Sequence, residues 1–393
     1  MLKQDRKTEV TARADGNHIS IKRVQPKLDL RSAIDNAQEG IYPPGYFYKP
    51  LHLIVQKSNI CGCNCPGCGI RSTSDRAKGK ELSDELALNL TRQAHRLGFI
   101  AYHGTFSGEP FDNMGFAEAE LNEFRGKMDC YTINTNGSRF TSEKEAERLF
   151  VRLKSAGWTQ TKFVLPFLAI SIGMQQKTVP LENVVHGINA FRSVFSDDEA
   201  TITITYYTTN LLYNNTLKEL NALYRKMTDR DLQQDVIIKS DNIKFAGYAE
   251  HMAAEHFTHL PFEKLTTERN CFKQSYFTFI DPVLSVEADG TIRSCSCFGN
   301  YTHLHLGNAY DGASLREAID NVNHSAFFRM ISEGGTGKVF EKIKELEPEA
   351  EGILKDTKLT DRHQACLRLH QVINGFPRLK EFFESDSHAC PPA

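Results

Sequence analysis

The chain has 393 residues, of which 40% are hydrophobic and 24% charged, with a net charge of −2. This is the make-up of a globular protein, long enough for one large α/β domain plus an appendage. No basic stripe favours nucleic acid, no apolar run reaches membrane-spanning length, and Met1-Leu-Lys-Gln-Asp-Arg-Lys7 leads into no apolar signal core. The expected compartment is the cytoplasm, where the ten cysteines point to metal ligation before disulfides.

Residues 1–48 read as a polar arm or cap that ends around Tyr42-Pro-Pro-Gly45. Leu51–Val55 is a short apolar strand. Cys61-Gly-Cys63-Asn-Cys65-Pro-Gly-Cys68 follows it directly. A helix comes next, with Asp84 and Glu85 in its first turn, Leu86, Leu90, Ala94 and Leu97 on one face, and Gly98 at its end. Residues 99–106 read as a strand that ends at Ser107-Gly-Glu-Pro110. Residues 130–135 read as another, ending at Thr135-Asn-Gly137. Ser142 and Glu145 have the spacing of a capping box, opening a helix to Gly157. Strands over 163–172, 201–208 and 236–245 alternate with helices over 181–195 and 216–227. Six strands alternating with helices predict an α/β fold with a parallel sheet and ligands at the strands' carboxyl ends.

Past residue 250 the pattern changes. Cys271, Cys295 and Cys297 flank a hairpin over 284–293 with Asp289-Gly290 as its turn, and residues 314–386 read as helices. Cys366 lies in the helical part.

Two metals suit the first cysteine run. Cys61, Cys65 and Cys68 have the spacing C-x3-C-x2-C, which suits three thiolates on different irons of a 4Fe–4S cluster and leaves the fourth iron open. A zinc knuckle using Cys61 or Cys63 with Cys65 and Cys68 is the alternative.

The segments downstream bear on this choice. Together with Cys61, Cys65 and Cys68, the chain resembles the radical S-adenosylmethionine (SAM) superfamily. Ser107-Gly108-Glu109-Pro110 resembles that family's Gly-Gly-Glu-Pro segment, which receives the SAM amino group. Asn134-Thr-Asn136-Gly resembles the segment after its third strand. Ser171-Ile-Gly-Met-Gln175 resembles the one after the fourth, which contacts ribose and carboxylate. The resemblance spans roughly residues 49–250 and implies a partial (β/α)6, TIM-like barrel. Three positions depart from the pattern: Gly67 replaces an aromatic residue, Ser107 a glycine, and Gly173 an acid. Residues 251–393 resemble the family's SPASM or Twitch extensions. There Cys271, Cys295, Cys297 and Cys366 would hold one auxiliary 4Fe–4S cluster.

The resemblance implies an enzyme that takes an electron from a flavodoxin or ferredoxin, cleaves SAM reductively, and abstracts a hydrogen atom from a C–H bond. The expected substrate is a ribosomally made peptide, crosslinked or otherwise oxidised. A small metabolite such as a sugar, aminoglycoside or nucleotide is the alternative. A zinc-stabilised binding protein is the reading from a different class. An epimerase would need a thiol as hydrogen donor, and Cys63 and Cys130 are the spare candidates. Tyr206, Tyr207, Lys239 and Tyr248 lie near strand ends as polar lining residues.

Overall fold

In chain order the elements of the computed structural model begin with β1 (His52–Val55), α1 (Asp84–Arg96), β2 (Ala101–His103), α2 (Met114–Glu123) and β3 (Cys130–Thr135). They continue with α3 (Glu143–Ala156), β4 (Phe167–Ile172), α4 (Leu181–Val194), β5 (Thr201–Thr208), α5 (Thr216–Thr228), the short α6 (Leu232–Asp235) and β6 (Ile237–Asn242). Then come β7 (Leu260–Pro261), β8 (Val283–Val286), β9 (Thr291–Arg293), β10 (His305–Asn308), α7 (Leu315–Asn323), α8 (Ala326–Leu346), α9 (Pro348–Lys355), β11 (Lys358–Leu359), α10 (Arg362–Gly375) and α11 (Pro377–Ser385). The described residues are 37–65, 68, 72–103, 108–162, 165–174, 178–208, 215–242, 260–262, 282–294, 305–355, 357–359 and 362–385.

Nine strands form one open sheet in the order β10-β9-β8-β1-β2-β3-β4-β5-β6. From β1 to β6 every pairing is parallel. This is the expected α/β arrangement, and the sheet does not close into a barrel. The β8–β9 hairpin forms where Asp289-Gly290 was expected to turn, with Gly290 at a φ of 84°. It also lengthens the sheet, because β8 pairs in parallel with β1, placing Leu53 opposite Leu284. Strands from the C-terminal third therefore continue the sheet of the first 250 residues.

The two faces of the sheet differ in chemistry. Leu53, Val55, Tyr131, Ile133, Ile170, Ile204 and Val286 lie in the main hydrophobic core with Leu90, Phe150, Ile188 and Leu220 from the helices. Successive side chains on a strand point to opposite faces. The alternate residues Thr132, Asn134, Ser171, Thr205, Tyr207 and Lys239 thus line the other, polar face. Tyr206 belongs to the apolar face, while Tyr207 and Lys239 are half-buried on the polar one. Tyr248 lies outside the described residues.

Several elements depart from the sequence reading. β2, β4 and β6 begin later than expected, at Ala101, Phe167 and Ile237. α2 was not expected at all. Ser142 caps α3 by accepting from the Glu145 amide at 3.3 Å, but the Glu145 side chain turns to Arg148 at 2.6 Å and does not complete the box. Residues 42–48 are not a loose end. Tyr48 is buried, its hydroxyl donates to the Val283 carbonyl at 2.6 Å, and the amides of Phe47 and Tyr48 donate to Asn323 Oδ1 at 2.9 Å each. Among the described residues no helix is long and apolar enough to cross a membrane.

Candidate active site

The cysteine loop leaves β1 at its carboxyl end and is pinned on both sides. The Cys61 amide donates to the Thr73 carbonyl and the Thr73 amide to that of Asn59, both at 2.8 Å. Asn64 adopts a φ of 46°, and its side chain exchanges hydrogen bonds with Ser74 at 2.6 and 3.0 Å. Lys57, only 2% exposed, fastens the loop's root to the start of α1. Its ammonium reaches Glu81 at 2.8 Å, Asp84 at 3.1 Å and the Leu82 carbonyl. A buried cation without these acceptors would cost several kcal/mol, so Lys57 sets where the loop begins.

Cys61 and Cys63 are buried, and Cys65 and Cys68 are half-buried. None of the four is joined in a disulfide. Cys61 and Cys63 pack together with Val179, and Cys65 packs against them. The neighbouring Cys61 favours the Cys63 thiolate, but Cys65 and burial outweigh it, pushing Cys63 up to about 11. N–H groups already aim at two of the sulfurs. Asn136 Nδ2 donates to Cys61 Sγ at 3.3 Å, and the Ser72 amide donates to Cys68 Sγ at 3.4 Å. Thiolate ligands of an iron–sulfur cluster take such donors, so this loop fits a cluster. Among the described residues no three Cys, His, Asp or Glu side chains are grouped to hold one metal ion.

The neighbouring loop is pressed against the cysteine loop by Gly108. Its φ is 67°, and a Cβ there would lie 2.4 Å from the Ile60 carbonyl oxygen and 2.9 Å from that of Ser58. The next residue, Glu109, is 1% exposed. Its Oε1 accepts from the Phe111 amide at 3.2 Å and from Thr135 Oγ1 at 2.6 Å. Its Oε2 accepts from the Asn136 amide at 2.9 Å. One acid thus clamps the loop after β2 to the loop after β3, and Oε2 keeps room for one more donor.

Burial pushes Glu109 up to about 7, against three hydrogen bonds that pull it down. The folded chain therefore holds a proton between pH 4.5 and about 7 that an unfolded chain has released. Stability from this group is complete below that window and is lost as pH rises through it. Glu109→Gln lacks this titration. The unfolding free energy of the native chain relative to this variant should fall by about 3 kcal/mol across the window. Urea titrations at both ends measure it, and a pH-independent difference would refute it.

The remaining expected residues fall into three groups. Pro110 opens a short 3-10 turn that Glu109 caps. Asn134 and Ser171 are half-buried on the polar face near the carboxyl ends of β3 and β4. Gly173 follows with a φ of 117°, and a Cβ on it would meet the Tyr207 carbonyl oxygen at 2.1 Å. An acid therefore cannot occupy this position. Cys130 is not brought to the site. It is the first residue of β3, buried, and five residues from Thr135, which is roughly 16 Å of strand. Cys366 is half-buried in α10 and packs against the core. Ser107, Gln175, Gly67, Cys271, Cys295 and Cys297 lie outside the described residues. Lys57 and the Asn136–Cys61 contact had no sequence signal.

Residues 55–227 match the family described as the Radical SAM superfamily. This part of the chain belongs to the radical SAM superfamily. The family implies a 4Fe–4S cluster and AdoMet, and its members catalyse radical reactions. No curated protein matches the chain. Among solved structures, BtrN in complex with AdoMet and 2-DOIA is 16% identical, covering 73% of this chain and 89% of its own, with a TM-score of 0.42. A polyhistidine-tagged anSMEcpe with bound AdoMet is 14% identical over 86% of this chain and 96% of its own, at a TM-score of 0.46. Native anSMEcpe with bound AdoMet and Cp18Cys peptide is 13% identical over 86% and 99%, at 0.45.

Proposed function

We propose that this radical SAM chain abstracts a hydrogen atom from a C–H bond of a ribosomally made peptide and leaves the peptide crosslinked or otherwise oxidised. The observation that carries the radical chemistry is the junction of buried Cys61 and Glu109 with half-buried Asn136. It joins a thiol loop, a loop after β3 and a buried carboxylate at the carboxyl ends of the parallel strands β1 to β3. Cys61, Cys65 and Cys68 would hold the cluster. When bound, the cluster supplies the electron that splits AdoMet into methionine and a 5′-deoxyadenosyl radical.

The chain's own residues then have distinct tasks. Glu109 receives the AdoMet amino group at its remaining acceptor position, a charge-assisted hydrogen bond that favours its ionised form. Gly108 leaves the backbone free to lie against the cysteine loop. Ser171 and Gln175 would contact the ribose and carboxylate, Ser107 would stand with Glu109 at the amino group, and Asn134 is a further proposed cofactor-binding residue. Tyr207 and Lys239 line the polar face that the substrate meets. Cys63 stays beside the cluster ligands as a packing thiol.

The peptide assignment rests on the C-terminal segment. Cys271, Cys295, Cys297 and Cys366 are the proposed ligands of an auxiliary cluster that would accept the substrate's second electron. Extensions of this type are frequent among peptide-modifying members. A flavodoxin or ferredoxin is the proposed donor to the first cluster.

Anaerobic purification, iron and sulfide analysis, and addition of AdoMet with reductant test the reading. About eight irons per chain and release of 5′-deoxyadenosine are expected. About four irons would remove the auxiliary cluster. Zinc without iron, or no 5′-deoxyadenosine from iron-loaded protein, would overturn the enzyme reading. A genomic neighbour encoding a short precursor peptide supplies the substrate to assay. Turnover of a small metabolite with no turnover of that peptide would overturn the peptide assignment.

A further inference from the structure

We infer that Asn136 sets the reduction potential of the cluster on Cys61, Cys65 and Cys68 by donating a side-chain N–H to the Cys61 sulfur. The inference rests on the cluster reading above. Its first support is the orientation of the amide. Asn136 Oδ1 accepts from the Ser138 amide at 2.7 Å, so Nδ2 is the end that faces Cys61 Sγ at 3.3 Å. Its second support is how firmly the residue is held. The Asn136 backbone amide donates to the buried Glu109 carboxylate at 2.9 Å, and Thr135 beside it donates to the same carboxylate at 2.6 Å. Asn183 Nδ2 reaches the next carbonyls, those of Gly137 at 3.5 Å and Ser138 at 3.4 Å.

The physical consequence follows from charge. One electron from the external donor, with no proton, increases the negative charge on the cluster's thiolate sulfurs. An N–H held against one of those sulfurs therefore favours the reduced form over the oxidised form and raises the potential. The Ser72 amide acts on Cys68 in the same direction, but as a backbone group it is not removed by changing a side chain. Asn136 is a side-chain donor, 75 residues from Cys61 in sequence, and it acts as a positioning residue, since it touches a ligand sulfur and not the substrate.

The test uses the full chain, reconstituted without oxygen, as native protein and as Asn136→Ala, Asn136→Asp and Asn183→Ala. Iron and sulfide are measured first. The midpoint potential is then read by redox titration of the reduced cluster's paramagnetic signal. Asn136→Ala is expected to shift the reduced-to-oxidised ratio about tenfold toward oxidised, a midpoint about 59 mV lower for one electron. Asn136→Asp keeps the bond from Ser138 but replaces the donor with an acceptor, so its midpoint falls at least as far. Asn183→Ala loosens the same loop without touching sulfur and leaves the midpoint in place. The inference fails if iron-loaded Asn136 variants stay within about twofold of the native ratio, or if Asn183→Ala moves as far as they do. It also fails if both Asn136 variants lose iron, because retention would then be the role of the residue. Native protein without iron would instead sink the cluster reading itself.

Discussion

Cys65→Ala is expected to abolish AdoMet cleavage, while Cys63→Ala preserves it. A cluster on this loop needs three thiolates, and the spacing of Cys61, Cys65 and Cys68 supplies one set. The structure packs Cys63 with Cys61 and Cys65, two members of that set, so proximity does not distinguish them. The expectation rests on the spacing and on the N–H donors aimed at Cys61 and Cys68. For Cys65→Ala, 5′-deoxyadenosine release should fall by about a thousandfold or more, equivalent to at least about 4 kcal/mol in the barrier. Iron retention at this site should fall with it. Cys63→Ala exchanges a small buried thiol for a methyl group and should cost about 1 kcal/mol of stability. Equal loss of iron in both variants would mean that Cys63 is a ligand.

The second large effect is expected from Gly108→Ala. The new methyl group would meet two carbonyl oxygens, those of Ile60 and Ser58, on the cysteine loop. Both obstacles are backbone, so no side-chain rotation relieves the overlap. The positive φ adds strain of its own. A loss of about 3–5 kcal/mol in unfolding free energy is expected, with weaker AdoMet binding in whatever folds. Gly115→Ala in α2 is the contrast. It has helical backbone with nothing within 4 Å of an added Cβ, and should gain about 0.5–1 kcal/mol. Denaturant titration of both variants decides the matter. Similar stabilities would refute the account of Gly108.

Much of the sheet was legible because β-branched and apolar runs fell between turn residues. α2 was not, for two reasons that lie in its packing. Asn113 precedes it without a side-chain capping bond. Glu120 also interrupts its apolar face, being buried where it accepts from Thr91 and Tyr131 at 2.6 Å each. An acid satisfied by two hydroxyls from other elements reads as solvent-facing in a linear sequence. Gly173 gives the converse lesson. As a departure from the family pattern it reads as a missing side chain. In the fold it is forced by the Tyr207 carbonyl, from a strand more than thirty residues away. The site's motif segments were legible one by one, but the Glu109 clamp and the Asn136–Cys61 bond depend on how separate loops meet.

The parallel pairing of β1 with β8 also bears on the order in which the chain assembles. During synthesis β1, with the cysteine loop at its end, emerges more than two hundred residues before its partner at Val283–Val286. Until then one side of β1 offers unpaired amides and carbonyls beside Leu53, Ile54 and Val55, an edge open to mispairing. A chain ending near residue 250 would keep that edge exposed. The strand that carries the cysteine loop is fully paired only once β8 arrives, so iron loaded before translation ends would meet a loop whose strand is still half-paired.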